Sequence, residues 1–465
     1  MSGIAPPLVA LAAATLSLLP RAVEGNTLPI TFSAPVNVSR TTTFSQSPAI
    51  ATDGVGGVYV MWEEMGGYLL PISRSEDGGW TFGEIALVVP GGPNLSFGQI
   101  QAGSGGPQDV HAVFTSFNTL YGGAEIVHVG STDAGETFPS PRVLSVIDGF
   151  NSYVADVATG WGVAAAWANT DLGAGGSMID FSASEDGGAT FSLPKRLDSS
   201  SGYKSSPAVV LHGDGDVYVA WVQNDDPFGA DAATEIFFSR STDRGATFSA
   251  PVNLSSNSEK SWPPRMAVDE AGAIYLVWPE GDFTVDQKLL FAFSLDGGAS
   301  FSEPRVLAGP TEWIEGRIVA VGAGALWVAW NADASSSEPG YASYVVRSLD
   351  GGATFSAAVP VPGAAAIASR SSEELLVAWS ETPVGQEWPD VFVARGEVVL
   401  CGDADIDGTI AATDALVALQ AGVGAAECAE CRCDVNSAGG ISATDALVIL
   451  RAAVGQPVTL ACPPC

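Results

Sequence analysis

Two polar segments carry the side chains of this chain that are best suited to bind a sugar. One holds Trp262 and Arg265, and the other, further along the chain, holds Trp313 and Arg317. An indole can stack on a sugar ring because its faces are apolar, and two guanidinium groups can bind one carboxylate through paired N–H donors. The alternatives are that the tryptophans pack within their own loops and that the arginines pair with neighbouring acids. Tyr203, in an earlier polar segment, is a further ligand-binding candidate.

The second of these segments also contains two carboxylates, Glu312 and Glu315. Glycoside hydrolysis uses two carboxyl groups, one as a proton donor and one as a base or nucleophile. These glutamates are therefore the catalytic candidates, and the alternative is that both are solvated loop charges. If the protein is an enzyme, the predicted activity is hydrolysis of an O-glycosidic bond.

A different chemistry is predicted near the C-terminus, where oxygen-bearing residues follow the spacing of a calcium-binding loop. Each of two arrays runs on into an apolar helical segment. The predicted ligands are Asp403, Asp405, Asp407, Thr409 and Asp414 in the first array, and Asp434, Asn436, Gly440, Ser442 and Asp445 in the second. Ala438 stands where the second array needs a fifth-position ligand, so we expect the second site to bind calcium more weakly.

All six cysteines lie in the last 65 residues: Cys401, Cys428, Cys431, Cys433, Cys462 and Cys465. This clustering favours a disulfide-braced module of an exported protein. Six cysteines allow 15 pairings, and the spacing does not choose among them. Zinc ligation by closely spaced thiolates is the alternative.

A repeated motif, Ser-x-Asp-x-Gly-x-(Thr/Ser)-Phe, indicates the strands and turns that must position these residues. Its six copies begin at Ser75, Ser131, Ser184, Ser241, Ser294 and Ser348, and are spaced by 53 to 57 residues. Each copy predicts a hairpin turn in which Asp accepts amide hydrogen bonds, Gly adopts a positive φ and Phe anchors the next strand. Six equivalent turns indicate a structural role, because one active site does not need six equivalent carboxylates.

A second repeated pattern has seven copies, one more than the turn motif. Short buried strands that end in an aromatic residue occur at 58–62, 110–114, 163–167, 217–221, 274–278, 326–330 and 375–379. With the runs that flank them, they predict four-stranded blades of a β-propeller. The seventh unit lacks its fourth strand, whereas residues 31–39 (TFSAPVNVS) repeat the fourth strand at 247–255 (TFSAPVNLS). The expected fold is an all-β, seven-bladed propeller closed by the N-terminal strand.

The six-fold turn motif resembles the Asp-box, or BNR repeat, of sialidases and related propellers. Sialidase catalytic propellers have six blades and an Arg-Ile-Pro motif, and this chain has neither feature. Seven Asp-box blades are more similar to xyloglucanase-type glycosidases and to non-catalytic assembly factors. The resemblance implies a propeller without settling between catalysis and binding.

The two C-terminal loop–helix arrays resemble a type I dockerin. That resemblance implies a small helical domain, calcium as cofactor and a cohesin as a possible partner. In the family, the residues at loop positions 10 and 11 contact the cohesin, and here these are Ala412-Thr413 and Ala443-Thr444. The alternative is that the module only braces the C-terminus.

The predicted organisation is a signal peptide at 1–25, a propeller at 26–398 and the dockerin-like domain at 399–465. A net charge of −33 argues against nucleic acid as a partner, and no further segment is a candidate transmembrane helix. The favoured interpretation is a secreted protein that recognises a glycan or protein on its loop face. The alternative is a glycoside hydrolase, sialidase-like or polysaccharide-degrading, delivered by the dockerin-like module.

Overall fold

The fold is known from a computed structural model. It describes residues 30–65, 68–89, 95–103, 106, 108–118, 123–145, 151–171, 176–198, 200, 202–224, 233–282, 286–333, 341–398, 401–404 and 410–462. The predicted signal peptide lies outside the described residues.

The elements described between Ile30 and Val398 are strands, and helices follow from Ala412 onward. The strands of blades 1 to 3 are β3 (Ser45–Thr52), β4 (Val58–Glu64), β5 (Pro71–Ser75) and β6 (Ile85–Leu87), then β7 (Leu95–Ala102), β8 (Val110–Asn118), β9 (Gly123–Ser131) and β10 (Arg142–Val143), then β11 (Asn151–Thr159), β12 (Val163–Asp171), β13 (Gly176–Ser184) and β14 (Lys195–Arg196). The strands of blades 4 to 6 are β15 (Tyr203–His212), β16 (Asp216–Asn224), β17 (Glu235–Ser241) and β18 (Val252–Asn253), then β19 (Arg265–Val268), β20 (Ile274–Glu280), β21 (Gln287–Ser294) and β22 (Arg305–Thr311), then β23 (Ile314–Val321), β24 (Ala325–Asp333), β25 (Tyr341–Ser348) and β26 (Val359–Val361). Blade 7 contains β27 (Ala366–Ser371), β28 (Glu374–Glu381) and β29 (Asp390–Val398), joined by β1 (Ile30–Phe32) and β2 (Val36–Asn37).

These strands form seven antiparallel sheets, which confirms the predicted seven-bladed β-propeller. In each blade the first strand is innermost and the second is the aromatic-ended strand found in the sequence. Both faces of that second strand are covered by neighbouring blades, which is why Trp62, Trp167, Trp221 and Trp278 are almost completely buried. The core is therefore a series of apolar layers between successive blades.

Blade 7 takes its outer strand from the start of the described chain. Strand β1 pairs with β29 through Ile30 and Val398, and β2 pairs with β29 through Val36 and Val393. The side chain of Asn37 donates to the Asp390 carboxylate at 2.8 Å. Segments from the two ends of the propeller sequence thus share one sheet.

The six repeated turns share one hydrogen-bond pattern. In the third copy, Ser184 Oγ donates to Asp186 and accepts the Gly188 N–H, while Asp186 accepts both the N–H and the hydroxyl of Thr190. The bonds from Thr190 and Ser184 lower the pKa of Asp186 to about 2. Gly188 has φ +84°, a conformation that favours glycine. These carboxylates are committed to the turns, as the repeat count predicts.

The C-terminal residues form a small helical unit with α1 (Ala412–Gly422), α2 (Glu430–Cys433) and α3 (Ala443–Ala453). Its core contains Ala418, Val435 and Ile449. Two disulfides, Cys401–Cys462 and Cys428–Cys433, brace it, so these four sulfurs are not available as zinc ligands. None of the helices in the described part of the chain has the length and apolarity that crossing a bilayer requires.

Candidate functional site

A pocket of about 270 Å³ lies between blades 5 and 6. Its wall includes Trp262, Arg265, Gln287, Trp313, Glu315 and Arg317. Five of these six residues are candidates from the sequence, and the pocket brings them together from separate segments of the chain. Glu312 and Tyr203 are exposed and do not line this pocket.

The pocket residues are positioned by the starts of three strands. Arg265 begins β19, Gln287 begins β21, and Glu315 and Arg317 lie on β23. The indole N–H of Trp262 donates to the carbonyl of Gly281 at 2.8 Å, which fixes the orientation of the ring. The site is therefore built on the first residues of strands from two adjacent blades.

Glu315 lies between two guanidinium groups. Its Oε1 is 2.7 Å from Arg317 Nη1 and 3.8 Å from Arg265 Nη2. Burial raises the pKa of Glu315, but the charge and hydrogen bond of Arg317 and the charge of Arg265 outweigh it, so the net shift is downward. Arg317 is held in place because its Nε donates to the carbonyl of Ala365 in blade 7 at 2.7 Å. At neutral pH the pocket thus holds one ionised carboxylate and two cations.

The two arginines occupy equivalent positions in the ring. In every blade one innermost-strand residue pairs with the residue that precedes the aromatic end of the second strand, and we name these seven residues the inner-strand layer. The layer consists of Ala49, Gln99, Asp156, Ala208, Arg265, Arg317 and Ala366. Alanine fills this position in three blades, so the repeat itself does not need a charged side chain there.

Asp156, the acidic member of the layer, is a residue that the sequence interpretation missed. It is half-buried, and its Oδ2 accepts the backbone N–H of Val209 in blade 4 at 2.9 Å. Burial raises its pKa, although the Val209 N–H and the charge of Arg265 act in the opposite direction. The field of Arg265 acts on both Asp156 and Glu315, whose pKa values move in opposite directions. Aligning the inner strands by the repeat would have revealed Asp156.

The first calcium array is described in part. Asp405, Asp407 and Thr409 lie outside the described residues. Asp403 and Asp414 are buried, and the Asp414 carboxylate accepts the N–H groups of Ala404 and Ala411 at 2.6 and 2.7 Å.

The second calcium array is described throughout. Asp434 is buried and accepts three backbone N–H groups from residues 438–440. Asp445 accepts the N–H and hydroxyl of Ser442 through Oδ2, and its buried Oδ1 has no hydrogen-bond partner among the described residues. No three acidic, histidine or cysteine side chains converge there or elsewhere in the described ranges. The predicted ligands of this array all present oxygen atoms, the type of ligand atom that calcium prefers.

Neither the protein-family models nor the curated proteins contain a match to this chain. Solved structures do match. A polysaccharide lyase of family PL25, an ulvan lyase, aligns with 77% of this chain and 95% of its own at 10% identity and a TM-score of 0.51. An α-L-arabinofuranosidase from Fusarium graminearum aligns at 13% identity over 78% and 97% of the two chains, with a TM-score of 0.46. An α-L-arabinanase from Penicillium chrysogenum aligns at 14% identity over 78% and 98%, with a TM-score of 0.46. At these identities the similarity concerns the fold alone.

Proposed function

We propose that this protein is a polysaccharide-degrading enzyme that cleaves glycosidic bonds next to an acidic sugar unit. The observation that carries the proposal is the pocket between blades 5 and 6, where two tryptophans, two arginines and one ionised carboxylate share a wall. A solved structure of similar fold is described as a polysaccharide lyase, but the proposal rests on the pocket.

The pocket has the parts that recognition of an acidic sugar requires. Trp262 and Trp313 offer aromatic faces for a sugar ring. Arg265 and Arg317 offer charge-assisted donors for a carboxylate or sulfate. Because the pocket is small, it has room for about one sugar unit, and the rest of the polysaccharide would run over the loop face.

Cleavage needs an acid and a base, and the directions of two pKa shifts favour one carboxyl group for each role. Glu315, with a lowered pKa, is ionised and serves as base or nucleophile. Asp156 does not line this pocket, but its raised pKa and its electrostatic interaction with Arg265 make it our candidate for the proton donor to the leaving oxygen. Pairs of carboxyl groups whose surroundings move their pKa values apart are the usual source of such assignments. Glu312, the partner that the sequence indicates for Glu315, is exposed outside the pocket.

A second candidate is non-catalytic recognition of a glycan, the interpretation that the sequence favours. One specific observation supports it: Glu315 contacts both Arg317 and Arg265, and these ion pairs occupy the carboxylate. In that case the pocket binds an acidic sugar and does not cleave it.

We also propose that the C-terminal unit is a calcium-dependent docking module. Equivalent apolar side chains of α1 and α3 and of the residues that cap them are exposed: Leu416, Leu419 and the C-cap residue Val423 in one case, and Leu447, Leu450 and the C-cap residue Val454 in the other. A cohesin-type protein that covers this face is the expected partner. The disulfides fit an oxidising compartment, so we propose that the protein is exported.

The pairing of β1 and β2 with β29 supports the proposal that the N-terminal segment closes the ring. Deleting residues 26–40 removes this strand and is expected to lower the melting temperature strongly. A truncated protein that melts like the full chain would show that closure lies elsewhere.

The proposed activity is tested with the full chain on a panel of acidic and neutral polysaccharides. Product is measured both as new reducing ends and as unsaturated sugar, which separates hydrolysis from elimination. The double variant Trp262→Ala, Trp313→Ala should lose turnover, while Tyr203→Ala, outside the pocket, serves as control. Binding without turnover by the wild type would favour the second candidate.

A further inference from the structure

One pocket residue carries a hydrogen-bonding group that the fold does not use. Gln287 is 1% exposed, and its Oε1 accepts the backbone N–H of Ile314 in blade 6 at 3.1 Å. Because an N–H donor faces Oε1, the amide orientation is fixed, and Nε2 is the other end. Nε2 has no hydrogen-bond partner among the described residues.

Two other blades show how a smaller side chain acts at this position. Ser177 in blade 3 and Thr234 in blade 4 each lie, like Gln287, seven residues before the serine that opens the turn. The Ser177 hydroxyl bonds to backbone atoms of Lys204, and the Thr234 hydroxyl donates to the carbonyl of Ser261. In all three blades the partner is 27 residues further along, at the entry to the next inner strand.

A short hydroxyl is therefore sufficient to join one blade to the next. In blade 5 the longer amide makes the same kind of contact through its oxygen and adds two N–H donors at the wall of the pocket. An unpaired buried donor destabilises a fold, and native proteins contain few of them. Gln287 lines the same pocket as Arg265 and Arg317, where a ligand could pair with the extra donor.

We propose that Gln287 is a specificity-determining residue whose side-chain N–H groups donate to an anionic oxygen of the bound sugar. The oxygen belongs to the carboxylate or sulfate that the two arginines also hold. This inference rests on the proposed acidic-sugar pocket and deepens it. The two ends of the Gln287 amide then have different roles, because the oxygen bonds to blade 6 and the nitrogen binds the substrate.

Two substitutions separate these roles. Gln287→Ser restores the short hydroxyl of blades 3 and 4 and removes the donor. Gln287→Glu keeps an acceptor for the Ile314 N–H but presents a negative oxygen to the ligand. Thermal melting verifies that each variant folds, and Thr234→Gln, which adds the same amide at the equivalent position of blade 4, is the matched control.

Binding to the full-length protein is measured by titration calorimetry with three probes: a glucuronate-containing oligosaccharide, its carboxyl-reduced neutral form and a sulfated neutral oligosaccharide. Gln287→Ser should weaken binding of the anionic probe about tenfold or more, since a hydrogen bond to a charged group is lost. Gln287→Glu should weaken it further, because like charges then face each other. Binding of the neutral probe should change little, and the glucuronate and sulfate arms identify the anion.

The result that overturns the inference is wild-type affinity of Gln287→Ser for the anionic probe, in which case the proposed function stands without it. An equal loss for anionic and neutral probes would also overturn it, because the residue would then act through packing alone. If the wild-type protein binds none of the three probes and cleaves no polysaccharide, the proposed function fails, and the inference fails with it.

Discussion

Two neighbouring interfaces, between blades 4 and 5 and between blades 5 and 6, have equivalent backbone positions but different side chains. At the first, the inner-strand layer contributes Ala208, and Thr234 bonds to Ser261. Ala208 packs there in a continuous apolar cluster. At the second, the same two positions hold Arg265 and Gln287, and a pocket opens between the blades. The backbone forms an equivalent interface between each pair of neighbouring blades. At the blade 5–6 interface, the side chains that differ from those of the blade 4–5 interface line a pocket.

The largest expected effect comes from Glu315→Gln, which keeps the shape of the pocket and removes its base. Cleavage should fall by about 10²- to 10⁴-fold, the usual contribution of general acid–base groups. The glucuronate probe should still bind, because both arginines remain and no longer face a carboxylate. Initial rates and calorimetry measure the two effects, with Glu312→Gln as the exposed control. Loss of activity in the control instead would return the catalytic role to the loop.

A third interface shows that buried polar groups also occur without a pocket role. His111 Nδ1 and His128 Nε2 lie 3.2 Å apart in blade 2, where His128 packs on Phe191 of blade 3. Burial lowers the pKa of His111 to about 4, and burial with the charges of His111 and Arg142 lowers the pKa of His128 to about 3. Both rings are therefore neutral in the folded protein.

Because the unfolded chain takes up these protons near pH 6.5, the stability of the fold is complete above that pH and declines as the pH falls toward 4. The expected loss is roughly 2–4 kcal/mol for His111 alone. Melting temperatures across this range should fall in the wild type and stay nearly level in His111→Asn, His128→Asn. Similar slopes in both proteins would mean that other groups control acid stability, such as the turn aspartates, whose lowered pKa values act only below about pH 4.

Arg265→Ala makes the blade 5–6 interface more like the blade 4–5 interface, where alanine stands at the same position. Affinity for the glucuronate probe should fall by about tenfold to a hundredfold, because a charge-assisted hydrogen bond of about 1.5–3 kcal/mol is lost. Arg196→Ala, which removes a partly exposed ion pair with Asp180 in blade 3, is the control and should bind normally. Unchanged binding by Arg265→Ala would assign anion recognition to Arg317 alone.

The last prediction concerns the two calcium arrays, which are also equivalent segments that differ in their side chains. We expect it to have the smallest effect on the pocket. Calorimetry with calcium should show one strong site, lost in Asp403→Ala, and a weaker one. Ala438→Asp restores the missing ligand and should strengthen the weaker site, since charge count tunes calcium affinity. Two equal sites in the wild type would contradict this account of Ala438.

Repetition made the fold predictable. Seven aromatic-ended strands and six turns in the sequence are sufficient to indicate seven blades, and residue types alone selected Trp262 and Arg265. The sequence interpretation missed Asp156 and Gln287, because at these two positions only alignment of equivalent blade positions distinguishes a functional residue from a structural one. Glu312 and Glu315 are neighbours in sequence, but the first precedes β23 and the second lies on it, so only the second reaches the pocket.

The central claim, that the blade 5–6 pocket binds an acidic sugar, is tested most directly by a crystal structure of Glu315→Gln soaked with the glucuronate-containing oligosaccharide. We expect one sugar unit against Trp262 and Trp313, with its carboxylate on Arg265 and Arg317 and within hydrogen-bond distance of Gln287 Nε2. An oligosaccharide bound elsewhere on the propeller, with this pocket empty, would contradict it.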